Sequence, residues 1–186
     1  GMSAALNPVD GGAAHMQPMP APASGVANAI APAMQMAAAA REIYVQPGDE
    51  LEFGLIATGA ILGVAQVDGQ GRAFLPLVGV RKIAGKSFSQ VGKYIEDKHL
   101  GPVKVRLKSA PAIIIVGEVG TPGGIAFEEG LTLAELLKRA GGATHKADLR
   151  LVFIKPRGSA SEIAVAFDEA LPILPGDTVR LKQRYF

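Results

Sequence analysis

The sequence predicts an α+β fold: two small mixed α/β-sheet domains behind a disordered tail. Three observations carry that expectation. The first 40 residues hold no Lys, Arg or aromatic side chain and are dominated by Ala, Pro and Met. Such a segment has little bulky apolar surface to offset an ordering cost of roughly 1 to 2 kcal/mol per residue. From Ile43 onward, short runs of β-branched and aromatic residues alternate with turns rich in Gly and Pro, the pattern of short strands. Two later segments switch to helical spacing behind a Ser or a Thr, which is the signature of a capped helix.

The elements follow in order. Residues 1–42 form the low-complexity tail, in which the run Ala37 to Ala40 is a nascent helix at most. Tyr44-Val45-Gln46-Pro47-Gly48-Asp49 then leads into a strand in which Leu51, Phe53 and Leu55 alternate with Glu50, Glu52 and Gly54. Val67 to Pro76 places a Gly-rich turn between strands, and Val78 to Ile83 continues the sheet. Ser87 with Gln90 makes a capping box, and Phe88, Val91 and Ile95 give the helix behind it an apolar face. Gly101-Pro102 stops that helix, and Val103 to Lys108 returns as a strand that closes a domain spanning residues 43–109.

The second domain, residues 110–186, is organised around Gly117 to Thr144. It opens with the apolar run Ala112 to Val116, too short for a helix and rich in β-branched residues. Pro122 supplies a fixed φ and Gly123 a positive one, the chemistry of a type II turn that reverses the chain. Thr132 is the N-cap of the next helix, with Glu135 three residues on to complete a capping box and Leu131 with Leu136 as a hydrophobic staple. Leu133, Leu136, Leu137 and Ala140 form its apolar face, and Gly141-Gly142 its left-handed stop. Leu151 to Lys155, Ile163 to Phe167 and Thr178 to Lys182 follow as strands. Two strands, a helix and more strands make a β-grasp-like unit. Val45 to Phe53 and Ile173 to Leu181 share Pro-Gly-Asp ahead of a strand, which either repeat ancestry or common turn chemistry explains. Domains this small gain from docking or oligomerisation.

Composition excludes more than it names. The net charge of +2 is mild, aromatic residues are 5% and Trp is absent, so neither nucleic-acid binding nor aromatic sugar stacking is well supplied. With no Cys there is no disulfide framework. His15, His99 and His145 have no metal-binding spacing, no phosphate-binding or nucleophile motif occurs, and no cofactor is expected. Asp49 and Asp177 both follow Pro-Gly, where an Asp ordinarily bonds nearby backbone rather than serving as one of a catalytic pair. No stretch is long and apolar enough to span a membrane.

Two strands carry an unusual pattern. Lys104, Arg106 and Lys108 recur with period two, so they share one sheet face, and Arg180, Lys182 and Arg184 repeat the comb. A solvated surface, a lining for an anionic polymer and a contact with an acidic neighbouring subunit all fit.

Taken in order, these motifs resemble the bacterial polysaccharide export proteins, which join an export domain to one or more soluble-ligand-binding β-grasp (SLBB) domains. The first domain is similar in its YVQPGDELEF start, in Val67 to Gly79, in VRKIAG from Val80 to Gly85 and in the helix leading to Val103-Lys104-Val105. The second is similar in GEVGTPGG, LTLAELLKRAGGAT and LPGDTVRL. The resemblance implies a non-enzymatic subunit of a ring-shaped, homo-oligomeric translocon for capsular or exopolysaccharide. Such a subunit is periplasmic or associated with the outer membrane, and works with an inner-membrane polysaccharide copolymerase. Gly1 ahead of Met2 has the look of a cleavage scar, so a natural export signal is expected to have been removed. The sequence departs from many relatives in having no Cys to lipidate and one β-grasp unit rather than several, which implies a shorter channel or a periplasmic adaptor. A ligand-binding or adaptor protein outside transport is the alternative; a glycan hydrolase ranks last, because no carboxylate pair or aromatic platform is evident.

Overall fold

A computed structural model of the protein describes residues 41–98 and 101–185. The expectations for the tail up to residue 40, including His15, and for His99 fall outside the described residues. What is described forms two small mixed α/β regions, each around its own apolar cluster.

In the first, β1 (Glu50–Leu55) pairs antiparallel with both β2 (Ile61–Gln66) and β5 (Val103–Leu107), giving the order β2-β1-β5. Alternation decides the faces. Leu51 sits opposite Leu107 and Phe53 opposite Val105, turned into the core, whereas Glu52 sits opposite Arg106 on the outer face. Helix α1 (Phe88–Glu96) lays Phe88, Val91 and Ile95 on that core. Its capping box is complete: Gln90 donates its amide to Ser87 Oγ at 3.1 Å, and Ser87 donates its own to Gln90 Oε1 at 2.9 Å.

The stretch Val78 to Ile83 does not continue this sheet. It contributes β4 (Gly79–Lys82), which pairs with β3 (Arg72–Leu75) as a separate two-stranded hairpin. The Gly-rich turn before β3 is held by Asp68, whose carboxylate accepts the amides of Gln70 and Arg72 and is thereby pulled below its ordinary pKa, chiefly by the bond from Arg72.

The second region is a five-stranded sheet of order β7-β6-β10-β8-β9, built from β6 (Ile113–Gly117), β7 (Gly123–Ile125), β8 (Leu151–Lys155), β9 (Ile163–Ala166) and β10 (Thr178–Leu181). β10 runs parallel to β6 and antiparallel to β8. Helix α2 (Leu133–Arg139) covers one face, sealing Leu133, Leu136 and Leu137 against Ile113, Ile115 and Leu181. Leu131, the outer member of the expected staple, belongs to the same cluster.

Two expectations about this region need correction. Pro122-Gly123 is not a tight corner. Gly123 has the expected positive φ, at 147°, but it already pairs with Ile115 as the first residue of β7. The reversal is instead a longer loop moored to the end of α2, because Gly120 donates its amide to Gly142 O and Thr121 to Ala140 O. Nor is the second capping box complete. Thr132 Oγ1 accepts the Glu135 amide at 3.3 Å, but the Glu135 carboxylate lies 3.5 Å from Arg139 one turn on, where an ion pair replaces the return bond. The stop at Gly141 and Gly142 is as expected, with φ of 83° and 82° and Gly142 donating to Leu137 O at 2.7 Å.

Candidate functional site

The two regions meet along a seam built from the repeated Pro-Gly-Asp turns. In each, the Asp carboxylate accepts the amide three residues back: Asp49 from Gln46 and Asp177 from Leu174, both at 2.8 Å. In each, the same carboxylate also receives an arginine from across the seam, Asp49 from the second region and Asp177 from the segment that leads into the first. Arg157 reaches Asp49 with bonds of 2.7 and 3.1 Å, and Arg41 reaches Asp177 with bonds of 3.0 and 2.7 Å. The pairs cross the seam in opposite directions. All four side chains are largely buried, and such bidentate, charge-assisted bonds fix orientation as well as position. Arg157 also donates to Tyr44 O, while Gln46 donates to Arg157 O. Arg41, assigned by composition to the tail, is thus tied to the last strand segment, and its buried Nε has no partner of its own.

A cleft of about 360 Å³ opens beside this crossing, walled by Arg41, Tyr44, Gln46, Pro156, Arg157 and Pro175 among others. Tyr44 is the aromatic ring on its edge and is half exposed. No group of His, Cys, Asp and Glu side chains able to hold a metal occurs among the described residues.

The basic combs lie on different sheets. Lys104, Arg106 and Lys108 project from β5 at the edge of the first sheet and its continuation. Arg106 pairs with Glu52 at 2.8 Å on the adjacent strand, and Lys104 lies 3.7 Å from Glu129 of the second region. Lys108 is exposed. Arg180 and Lys182 rise from the middle of the second sheet, on the face away from α2. Arg180 clasps Glu162 with two bonds and stacks 4.5 Å from the centre of the Phe153 ring. The bond from Arg180 holds the Glu162 carboxyl below its ordinary pKa. Lys182 lies 5.9 Å from both the Phe153 and Tyr185 rings, within range of a weak cation–π contact, and the Arg184 amide donates to Lys146 O. Lys104, Arg106 and Arg180 therefore have acidic partners that periodicity could not name.

Below this face, Asp148 is almost wholly buried, and its oxygens accept the amide, Nε and Nη2 of Arg150. Those side-chain bonds, backed by the amide, lower its pKa to about 2.

Comparison with protein families places an SLBB domain at residues 113–162, that is, from β6 through β8 to the acid that holds Arg180. No curated protein matches the chain. Domains of this kind are accessory, non-catalytic modules, so the second region of this chain is similar to a family of interaction units.

Proposed function

We propose that this chain is a non-catalytic subunit of a translocon exporting capsular polysaccharide or exopolysaccharide, assembled as a ring of identical subunits and working with an inner-membrane polysaccharide copolymerase. The observation that carries the reading is the pairing of the SLBB domain with a first region locked to it by crossed Arg–Asp bonds. A conduit subunit needs its two parts held at one angle, since a freely swinging part could not tile a closed ring. The first region is then the export domain, residues 43–109, and its motifs resemble that domain. The comb cations Lys104, Arg106 and Lys108, with Arg180, Lys182 and Arg184, are the candidates to line the path or to meet the next subunit.

Deletion of the gene should abolish surface polysaccharide, with the full chain restoring it. The purified chain should run in solution at a multiple of its 19.2 kDa mass. Normal polysaccharide in a deletion strain with no related gene to compensate refutes the reading. A second reading, a small-molecule-binding adaptor outside transport, is favoured by the seam cleft; a chain that stays monomeric and binds one small ligand tightly supports it instead.

A further inference from the structure

The β3–β4 hairpin carries large apolar side chains on its solvent side. Phe74 and Val80 face one another across the two strands and leave 69% and 62% of their surface exposed, and Leu77 at the tip leaves 59%. The hairpin does not lack a core, because Ala73 and Leu75 on the opposite face are buried. Three such residues side by side mark an interaction surface. The tip is closed by the Val78 amide bonding to Leu75 O at 3.2 Å, with Pro76 and Leu77 at the two corners. Leu77 has a φ of 67°, the one positive φ outside glycine among the described residues. Gly or Asn takes that conformation at little cost; a Leu there is strained. An exposed, strained leucine is what a turn would carry if its side chain, not its backbone, were useful.

The next outward pair back from Phe74 and Val80 is Arg72 opposite Lys82. Two residues of strand separate the pairs, about 7 Å. Asp68, the acid nearest in sequence, has its carboxylate taken up by backbone amides. From Gly69 to Ile95 the chain has no Asp or Glu, while it carries Arg72, Arg81, Lys82, Lys86 and Lys93. Arg81 is steadied over the Tyr94 ring at 5.4 Å.

We infer that this hairpin is a membrane-surface element, with Phe74, Leu77 and Val80 entering the acyl boundary of an anionic bilayer and Arg72 and Lys82 at the level of its phosphates. The spacing of the two pairs matches the depth of 5–10 Å to which interfacial elements bury their apolar side. Charge selects lipid over a two-fold contact of this hairpin with itself, which would set like charges against each other, whereas phosphates complement them. The inference stands whether or not the chain serves in polysaccharide export.

Flotation of the full chain with vesicles tests it, using phosphatidylcholine alone and phosphatidylcholine mixed with phosphatidylglycerol. The protein should float with the anionic vesicles and not with the neutral ones, and added salt should release it. The double variant Arg72→Glu/Lys82→Glu should lower binding about tenfold or more. Phe74→Ser and Leu77→Gly should lower it as well, although Leu77→Gly relieves backbone strain and so keeps or raises the Tm, which separates lost binding from lost folding. No flotation with anionic vesicles at low salt overturns the inference, as does flotation indifferent to all these changes. If Phe74→Ser reduces the solution mass while leaving flotation intact, the face joins copies of the chain and the lipid assignment is wrong.

Discussion

Arg157 spans the seam to hold Asp49 through both of its terminal nitrogens, although 108 residues separate them. Because the Asp49 carboxylate is buried, losing the arginine leaves a charge with only the Gln46 amide to satisfy it. Arg157→Ala should therefore cost about 3 kcal/mol. Asp49→Asn combined with Arg157→Ala should be less harmful than the sum of the single changes, with a coupling of about 1 kcal/mol or more in urea denaturation. Strict additivity would mean that the pair does not bind the two regions together.

Asp148 sets a pH dependence. Its carboxyl titrates at about 2 in the fold and near 3.9 when unfolded, so the unfolded chain takes up the proton first as pH falls. The stability it contributes is complete above about pH 4 to 5 and is lost on descent toward pH 2. Denaturation followed across that window should show a smaller fall for Asp148→Asn than for the parent protein. Parallel curves would show that the Arg150 bonds do not matter in solution.

The two caps differ in quality. Ser87 is buried and its capping box has both bonds, whereas Thr132 makes one longer bond at an exposed helix start. Ser87→Ala should cost about 1 to 2 kcal/mol and Thr132→Ala about 0.5 to 1 kcal/mol. Thermal melts that reverse this order would remove the distinction.

Glycine matters more before the long loop than after it. A methyl group on Gly117, whose φ is 90°, would collide with the carbonyl oxygen of Leu181 on the adjacent strand, while one on Gly123 would meet only open space. Gly123→Ala should cost about 1 kcal/mol from backbone geometry, and Gly117→Ala several times as much because β6 and β10 must part. Equal melting temperatures for the two variants would contradict the pairing of Leu181 with Gly117.

Much of the fold was legible because short-range periodicity coincides with burial. Leu51 and Phe53 alternate and are buried, and Leu151 to Lys155 is a strand at both expected ends. The strand β2 is not legible in the sequence because Ile61 to Gln66 does not alternate: its pairing with β1 slips at Phe53 and Gly54, and its apolar residues fall on both faces. The side-chain role of Asp49 and Asp177 in their own turns was readable from Pro-Gly-Asp. Their arginines were not, since Arg41 lies 136 residues from Asp177 and nothing local marks such a partner. The same limit applies to the combs. Their period was visible, but Glu52, Glu129 and Glu162 come from other elements.

The position of β10 also sets an order of events during synthesis. The first region has all its strands once Leu107 has emerged, and can collapse while the ribosome is still working. The second cannot, because β10 lies between β6 and β8 and is made after both. Until it arrives, β6 with β7 and β8 with β9 are separate hairpins with bare inner edges, open to mispairing. Asp177 emerges immediately before β10, so closure of the sheet and capture of Arg41 belong to the same late step, and a ribosome stalled in between would leave the nascent chain exposed to aggregation.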